Sequence, residues 1–149
     1  MNETPSLRFD GCMATNLEQA YRQLEHVYER LIEPLGLSLL EWYALRALYG
    51  EDGTSASQLA HEVCRHPSSM TALLDRMEEK DLLHRQVDTH DRRSVRVFLT
   101  ERGRALRPQV EHVANRLSRL IEESITQEQM ETFQYVLSVL QNVHLPEPS

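Results

Sequence analysis

Residues 91–103 read Asp91-Arg92-Arg93-Ser94-Val95-Arg96-Val97-Phe98-Leu99-Thr100-Glu101-Arg102-Gly103. The run opens on a polar, basic tip, passes into a stretch rich in Val, Phe and Leu, and ends where helical spacing resumes. Residues 82–87, Leu82-Leu83-His84-Arg85-Gln86-Val87, form a second short apolar run ahead of it. Two such runs joined by the polar segment 88–94 predict a β-hairpin, or wing, over about 82–99. Its tip carries two adjacent arginines and no apolar residue.

Upstream of the hairpin the apolar period is that of helices. Met70, Leu73, Leu74 and Met77 predict a buried stripe on a helix over about 68–80. Leu59, Ala60 and Val63 predict a shorter helix over 57–63, joined to the longer one through Cys64-Arg65-His66-Pro67. Two helices so joined make a helix-turn-helix candidate, and the basic-tipped hairpin after them makes the arrangement a winged helix-turn-helix. Farther back, Ser38 with Glu41 reads as a capping box opening a helix that stops at Gly50, with Leu40, Tyr43, Ala44, Ala47 and Leu48 turned inward. Thr15 with Glu18 reads as another, opening a first helix to about Glu33, ended by Pro34 and Gly36. Residues 1–14 are expected to be a loose arm.

Downstream, the chain is expected to be helical from Thr100. Leu106, Val110, Val113, Leu117 and Leu120 follow a 4-3-4-3 spacing, the rhythm of a helix lying along another helix. Thr126 with Gln129 caps a last helix carrying Met130, Phe133, Leu137 and Leu140, before a frayed tail at 146–149. The terminal helices carry apolar stripes at both chain ends, which a second copy would bury. The expected class is therefore mainly α with a small β-hairpin wing. Within one domain, 1–149, the helices at 15–35 and 104–144 dimerise, and 38–100 forms the winged helix-turn-helix.

Composition narrows the function classes. The 149 residues are 40% hydrophobic and 26% charged, ordinary for a folded domain. No apolar run reaches the ~18–20 residues of a membrane span, and the first residues lack a signal-peptide core, so a cytoplasmic location is expected. Two cysteines, Cys12 and Cys64, give neither a disulfide framework nor a metal set. Net charge is −7, yet residues 65–107 hold ten Lys/Arg against seven acids, while the remainder nets −10. A basic segment inside an acidic chain suits a phosphate-binding face. No Gly-rich phosphate loop, nucleophile elbow or metalloprotease motif is present, so no enzyme is expected.

The stretch 91–103 resembles the wing signature of the MarR family of bacterial transcriptional regulators: Asp-x-Arg, a β run ending in Leu-Thr, then x-x-Gly. Gly36-Leu37-Ser38 and Glu41-Trp42 resemble the family's second-helix opening, and Leu59-Ala60 with Leu74-Asp75-Arg76-Met77-Glu78 its two reading-head helices. The resemblance runs from about 16 to 142. It implies a homodimeric repressor that binds a near-palindromic double-stranded DNA operator, with the helix at 68–80 in the major groove and the wing in the minor groove. Ser68, Ser69 and Thr71 on that helix's first turn then reach bases or phosphates. Arg76 meets a phosphate or a neighbouring acid, and Arg93 enters the narrow groove. Asp91 pairs with Arg93 and fixes its aim, and Arg92 and Arg96 contact the backbone. Three departures stand out: Ala72 where many relatives carry arginine, Asp81 where they often carry glycine, and Cys64-Arg65 in the inter-helix turn.

Relatives respond to small aromatic acids, to oxidants or to metals. Leu39, Trp42, Tyr43 and Arg46 share one face of the second helix by spacing, an aromatic wall with an arginine that suits a phenolic or aromatic anion, with Arg22 contributing from the first helix. Oxidant sensing would use Cys12, which has no adjacent Lys or Arg to lower its pKa. His61, Glu62, Cys64 and His66 are metal-ligand types without a recognised spacing, and no metal site and no cofactor are expected. The alternatives to a ligand-responsive repressor are a cysteine-based redox regulator of the same fold, or a winged helix that binds proteins.

Overall fold

A computed structural model describes residues 11–63 and 67–144, with the side chains at 67 and 68 outside that description. The elements run α1 (Met13–Ile32), a 3-10 turn (Glu33–Leu35), α2 (Leu39–Gly50), α3 (Ala56–Val63), α4 (Pro67–Glu79), β1 (Leu83–Val87), β2 (Val95–Leu99), α5 (Glu101–Ala105), α6 (Arg107–Glu122) and α7 (Gln127–Leu140). The mainly helical class with one hairpin is as the sequence predicts. Two compact units divide the chain, Met1–Val113 and Ala114–Ser149.

Local chemistry sets most of the boundaries. Ser38 caps α2 in a complete capping box: its hydroxyl accepts from the Glu41 amide, and the Glu41 side chain accepts from the Ser38 amide at 2.8 Å. Thr126 and Gln129 make the same box on α7. Gly36 ends the 3-10 turn in the left-handed region at φ 67°. Asp81 takes the left-handed turn after α4 at φ 56°, where glycine would be unstrained; Asp is among the few side chains that tolerate it.

Three sequence expectations need correction here. Thr15 does not open α1: the helix begins at Met13 with Cys12 as its N-cap, and the Thr15 hydroxyl lies 3.1 Å from the Cys12 sulfur. Helix does not run unbroken from Thr100, because it stops at Ala105 and resumes at Arg107. Pro108 explains the break, since it has no amide to donate and fits only a first helical turn. On α2 the fully buried side chains are Glu41, Trp42, Ala44, Leu45 and Leu48, so the inward stripe is rotated from the predicted one. Leu40, Tyr43 and Ala47 are only half-buried.

The core of the first unit joins α2, α3, α4 and the hairpin through Trp42, Leu45, Leu48, Leu59, Leu73, Met77, Leu82, Leu83 and Val97. Each buried aliphatic or aromatic side chain contributes about 1.5–3 kcal/mol. Trp42 is 0% exposed, and its indole N–H donates to the Val110 carbonyl at 3.2 Å. β1 and β2 pair antiparallel with Leu83 opposite Leu99 and Val87 opposite Val95. The turn between α2 and α3 adds a partial third strand: Gly53 N–H donates to the Val97 carbonyl and Val97 N–H to the Thr54 carbonyl, each at 2.9 Å.

Candidate nucleic-acid interface

α4 buries Met70, Leu73, Leu74 and Met77, which leaves Ser69, Thr71 and Ala72 exposed on its first turns. The backbone of Ser68 belongs to α4, but its side chain lies outside the described residues, as do Cys64 and His66. The far half of the helix is held by charge on two sides. Glu41 is 1% exposed, and its carboxylate accepts from Lys80 Nζ at 2.7 Å, with Arg76 Nε at 3.9 Å. Lys80 also donates to the Gly36 carbonyl at 2.9 Å. A carboxylate so buried is tolerable only with such partners. On the other side Arg85 of β1 is gripped by Glu78 at 2.6 Å and Asp75 at 2.5 Å. That grip holds the Glu78 carboxyl below the usual range, chiefly through its hydrogen bond with Arg85.

Arg76 therefore faces an acid of its own protein while remaining half-exposed. Lys80 and Glu41 were invisible as partners in the sequence, 39 residues apart.

At the hairpin tip Arg92 and Arg93 are exposed, and neither makes an ion pair among the described residues. The predicted Asp91–Arg93 side-chain pair is not formed. Asp91 Oδ1 instead accepts from the Arg93 backbone amide at 2.9 Å, so it shapes the turn and leaves the guanidinium free. Arg96 points back into the protein: its Nε donates to Asp88 Oδ2 and a terminal nitrogen donates to the Gly53 carbonyl at 2.8 Å. Asp88 was missed by sequence reasoning. The signal was in the register, because Gln86 lies opposite Arg96 and residue 88 is its same-face neighbour one step along.

The proposed ligand face is dispersed. Trp42 is sealed in the core, with Tyr28 at 4.9 Å and Tyr43 at 5.2 Å between ring centroids, and the Arg46 guanidinium 4.9 Å over its ring. Burial, the neighbouring Tyr21 and Tyr28, and a hydrogen bond with Tyr21 push the Tyr43 phenol up to about 12, so it stays neutral. Arg22 pairs with Glu18 at 2.6 Å on the surface of α1. A cavity of about 380 Å³ opens between Glu29, Arg30, Glu33, Leu37, Ser38 and Leu39, and of the predicted face only Leu39 lines it. Cys12 is exposed, and its thiol is lowered mainly by the hydrogen bond with Thr15. Among the described residues no group of three or more His, Cys, Asp or Glu is placed to hold a metal. No helix among them is long and apolar enough to cross a membrane.

A helix pair with a half-exposed second helix, followed by a hairpin tipped with two exposed arginines, defines a winged helix-turn-helix protein. A family model described as MarR family matches residues 37–95. The chain is 31% identical over 109 residues to the HTH-type transcriptional repressor Rv2887 of Mycobacterium tuberculosis, covering 73% of this chain and 78% of that one. The chain belongs to the MarR family. Among solved structures it resembles a MarR transcriptional regulator from Methanosarcina mazei, with TM-score 0.77 and 26% identity over 85% of this chain and 91% of that one. It also resembles the Mycobacterium tuberculosis protein Rv2887 in complex with p-aminosalicylic acid, with TM-score 0.69 and 27% identity over 87% and 98%.

Proposed function

We propose that this protein is a transcriptional repressor that binds a near-palindromic double-stranded DNA operator as a homodimer, in the cytoplasm, and whose work is binding, not catalysis. The observation that carries the reading is the pair of exposed arginines, Arg92 and Arg93, without an ion pair among the described residues, on a hairpin fixed beside a helix whose first turn exposes Ser69 and Thr71. Ser68, Ser69 and Thr71 read the major groove, and Arg93 enters the minor groove with Arg92 on the phosphates. Arg76 reaches phosphate only by leaving its distant contact with Glu41. The winged helix-turn-helix is assigned to 38–100, and 15–35 with 104–144 to dimerisation.

α7 supports a second copy. None of its residues is buried, and Phe133, Tyr135, Val136, Leu137, Val139 and Leu140 are all exposed, Tyr135 by 70%. A helix apolar over so much of its circumference is normally covered. The relative bound to p-aminosalicylic acid favours a small aromatic carboxylate as effector. On this chain Trp42 is sealed in the core, while Leu39 and Tyr43 are half-buried and Arg22 and Arg46 exposed.

Fluorescence anisotropy on DNA from upstream of the protein's own gene, against scrambled DNA and across a salt series, tests the reading. Sequence-selective binding that falls steeply with salt is expected. Equal affinity for both DNAs would overturn it for that operator.

A further inference from the structure

Arginines at the end of a seven-residue loop, 88–94, serve recognition only if the backbone beneath them is ordered before contact. Otherwise the loop pays its ordering entropy on binding. Besides the backbone bonds of Asp88 N–H to the Ser94 carbonyl and Ser94 N–H to the Asp91 carbonyl, one carboxylate holds the loop at three points. Asp88 is 9% exposed, and its Oδ1 accepts from the His90 amide at 2.7 Å and the Asp91 amide at 3.3 Å. Its Oδ2 accepts from Arg96 Nε, and Arg96 in turn donates to the Gly53 carbonyl at 2.8 Å. Gly53 belongs to the turn between α2 and α3, which is itself bonded to Val97. Asp91 carries the order forward to the Arg93 amide. A continuous path therefore runs from the helical core through Arg96 and Asp88 to the tip.

We propose that Asp88 is a positioning residue for DNA recognition, and that Arg96 is its anchor to the α2–α3 turn and not a phosphate contact. The proposal rests on the DNA-binding reading above and deepens it. It also makes a prediction of sign. Asp88 is an acid within a few residues of the basic tip, so charge alone would have its removal strengthen DNA binding. Positioning has its removal weaken binding.

The experiment uses Asp88→Asn in the full chain. Asparagine keeps the Oδ1 acceptor for the two loop amides but turns a donor toward Arg96, breaking only the arm to Gly53. Two readouts are taken: amide hydrogen exchange over residues 89–94 without DNA, and operator affinity with its salt dependence. Faster exchange at the tip, roughly tenfold weaker binding and a shallower salt slope are expected, since a disengaged wing releases fewer counterions. Arg96→Lys, which keeps the charge but cannot span both acceptors, is expected to behave like Asp88→Asn. Unchanged or tighter binding by Asp88→Asn, with or without faster exchange, would overturn the proposal. So would full retention of affinity and slope by Arg96→Lys. Failure of the unaltered protein to bind DNA would overturn the function reading and this proposal together, and is recognisable because it precedes any substitution.

Discussion

The carbonyl oxygen of Leu82 occupies the space that a β-carbon on Gly103 would need, and the Leu99 side chain closes the same space at 3.2 Å. The carbonyl cannot retreat easily, since it accepts from the Thr100 amide at 3.1 Å. The Gly103 carbonyl in turn accepts from the Tyr49 hydroxyl at 2.8 Å, tying α5 to α2. The wing's root thus depends on the absence of one side chain. Gly103→Ala is expected to destabilise the protein by about 1–3 kcal/mol, the usual cost of overpacking. Urea melts measure it, and an unchanged midpoint would show that α5 can move away from Leu82.

The tip arginines carry the most direct test of DNA contact. Arg93→Ala should weaken operator binding by about 1–3 kcal/mol while leaving thermal stability within about 0.5 kcal/mol, because its side chain is exposed and makes no ion pair among the described residues. Arg92→Ala is expected to weaken specific and scrambled DNA alike and to lower the salt slope by about one. Anisotropy on both DNAs separates the two outcomes. Equal losses on both DNAs for Arg93→Ala would reassign it to the phosphate backbone.

Asp88 also gives the fold an acid-sensitive contact. Its hydrogen bond from Arg96, followed by those from the His90 and Asp91 amides, lowers the carboxyl from 3.8 to about 2. The folded state therefore prefers the charged form more than the unfolded chain does. The associated stability is complete above the unfolded value and is lost as pH falls from about 4 toward about 2. Thermal melts of the parent and Asp88→Asn should differ near neutral pH and converge across that window. Parallel curves down to the lowest pH would show that the ionised carboxylate contributes nothing to stability.

α7 offers the test of assembly. Leu137 lies on its exposed apolar face, so Leu137→Glu would place a charge where a second copy is expected to pack. Sedimentation should find the parent as a dimer and the variant shifted toward monomer, with operator affinity falling in step. A variant dimer of unchanged stability would move the interface away from this face.

Much of this was legible along the chain. The capping boxes at Ser38 and Thr126 are local patterns four residues wide, and both form as read. The hairpin was legible because a polar, arginine-tipped loop joins two short runs that carry Val, Leu and Phe. The left-handed turn at Asp81 was signalled only through the resemblance, which puts glycine at that place. Thr15 misled because Cys12, with no strong capping side chain, starts α1 without announcing itself.

What the sequence by itself determined is the order of elements, most of their limits and the placing of two arginines at a loop tip, since these follow from backbone propensity and short-range periodicity. Tertiary structure alone decided which charges are free. Glu41 takes Lys80 and Arg76 from elsewhere in the chain, Asp88 takes Arg96 across the hairpin, and Asp91 bonds the Arg93 backbone amide instead of its side chain. Helical spacing placed Trp42 beside Arg46 but could not say that Tyr28 and the Val110 carbonyl would seal it in the core. Ion pairing and burial depend on distances between segments far apart in the chain, and no local pattern encodes those distances.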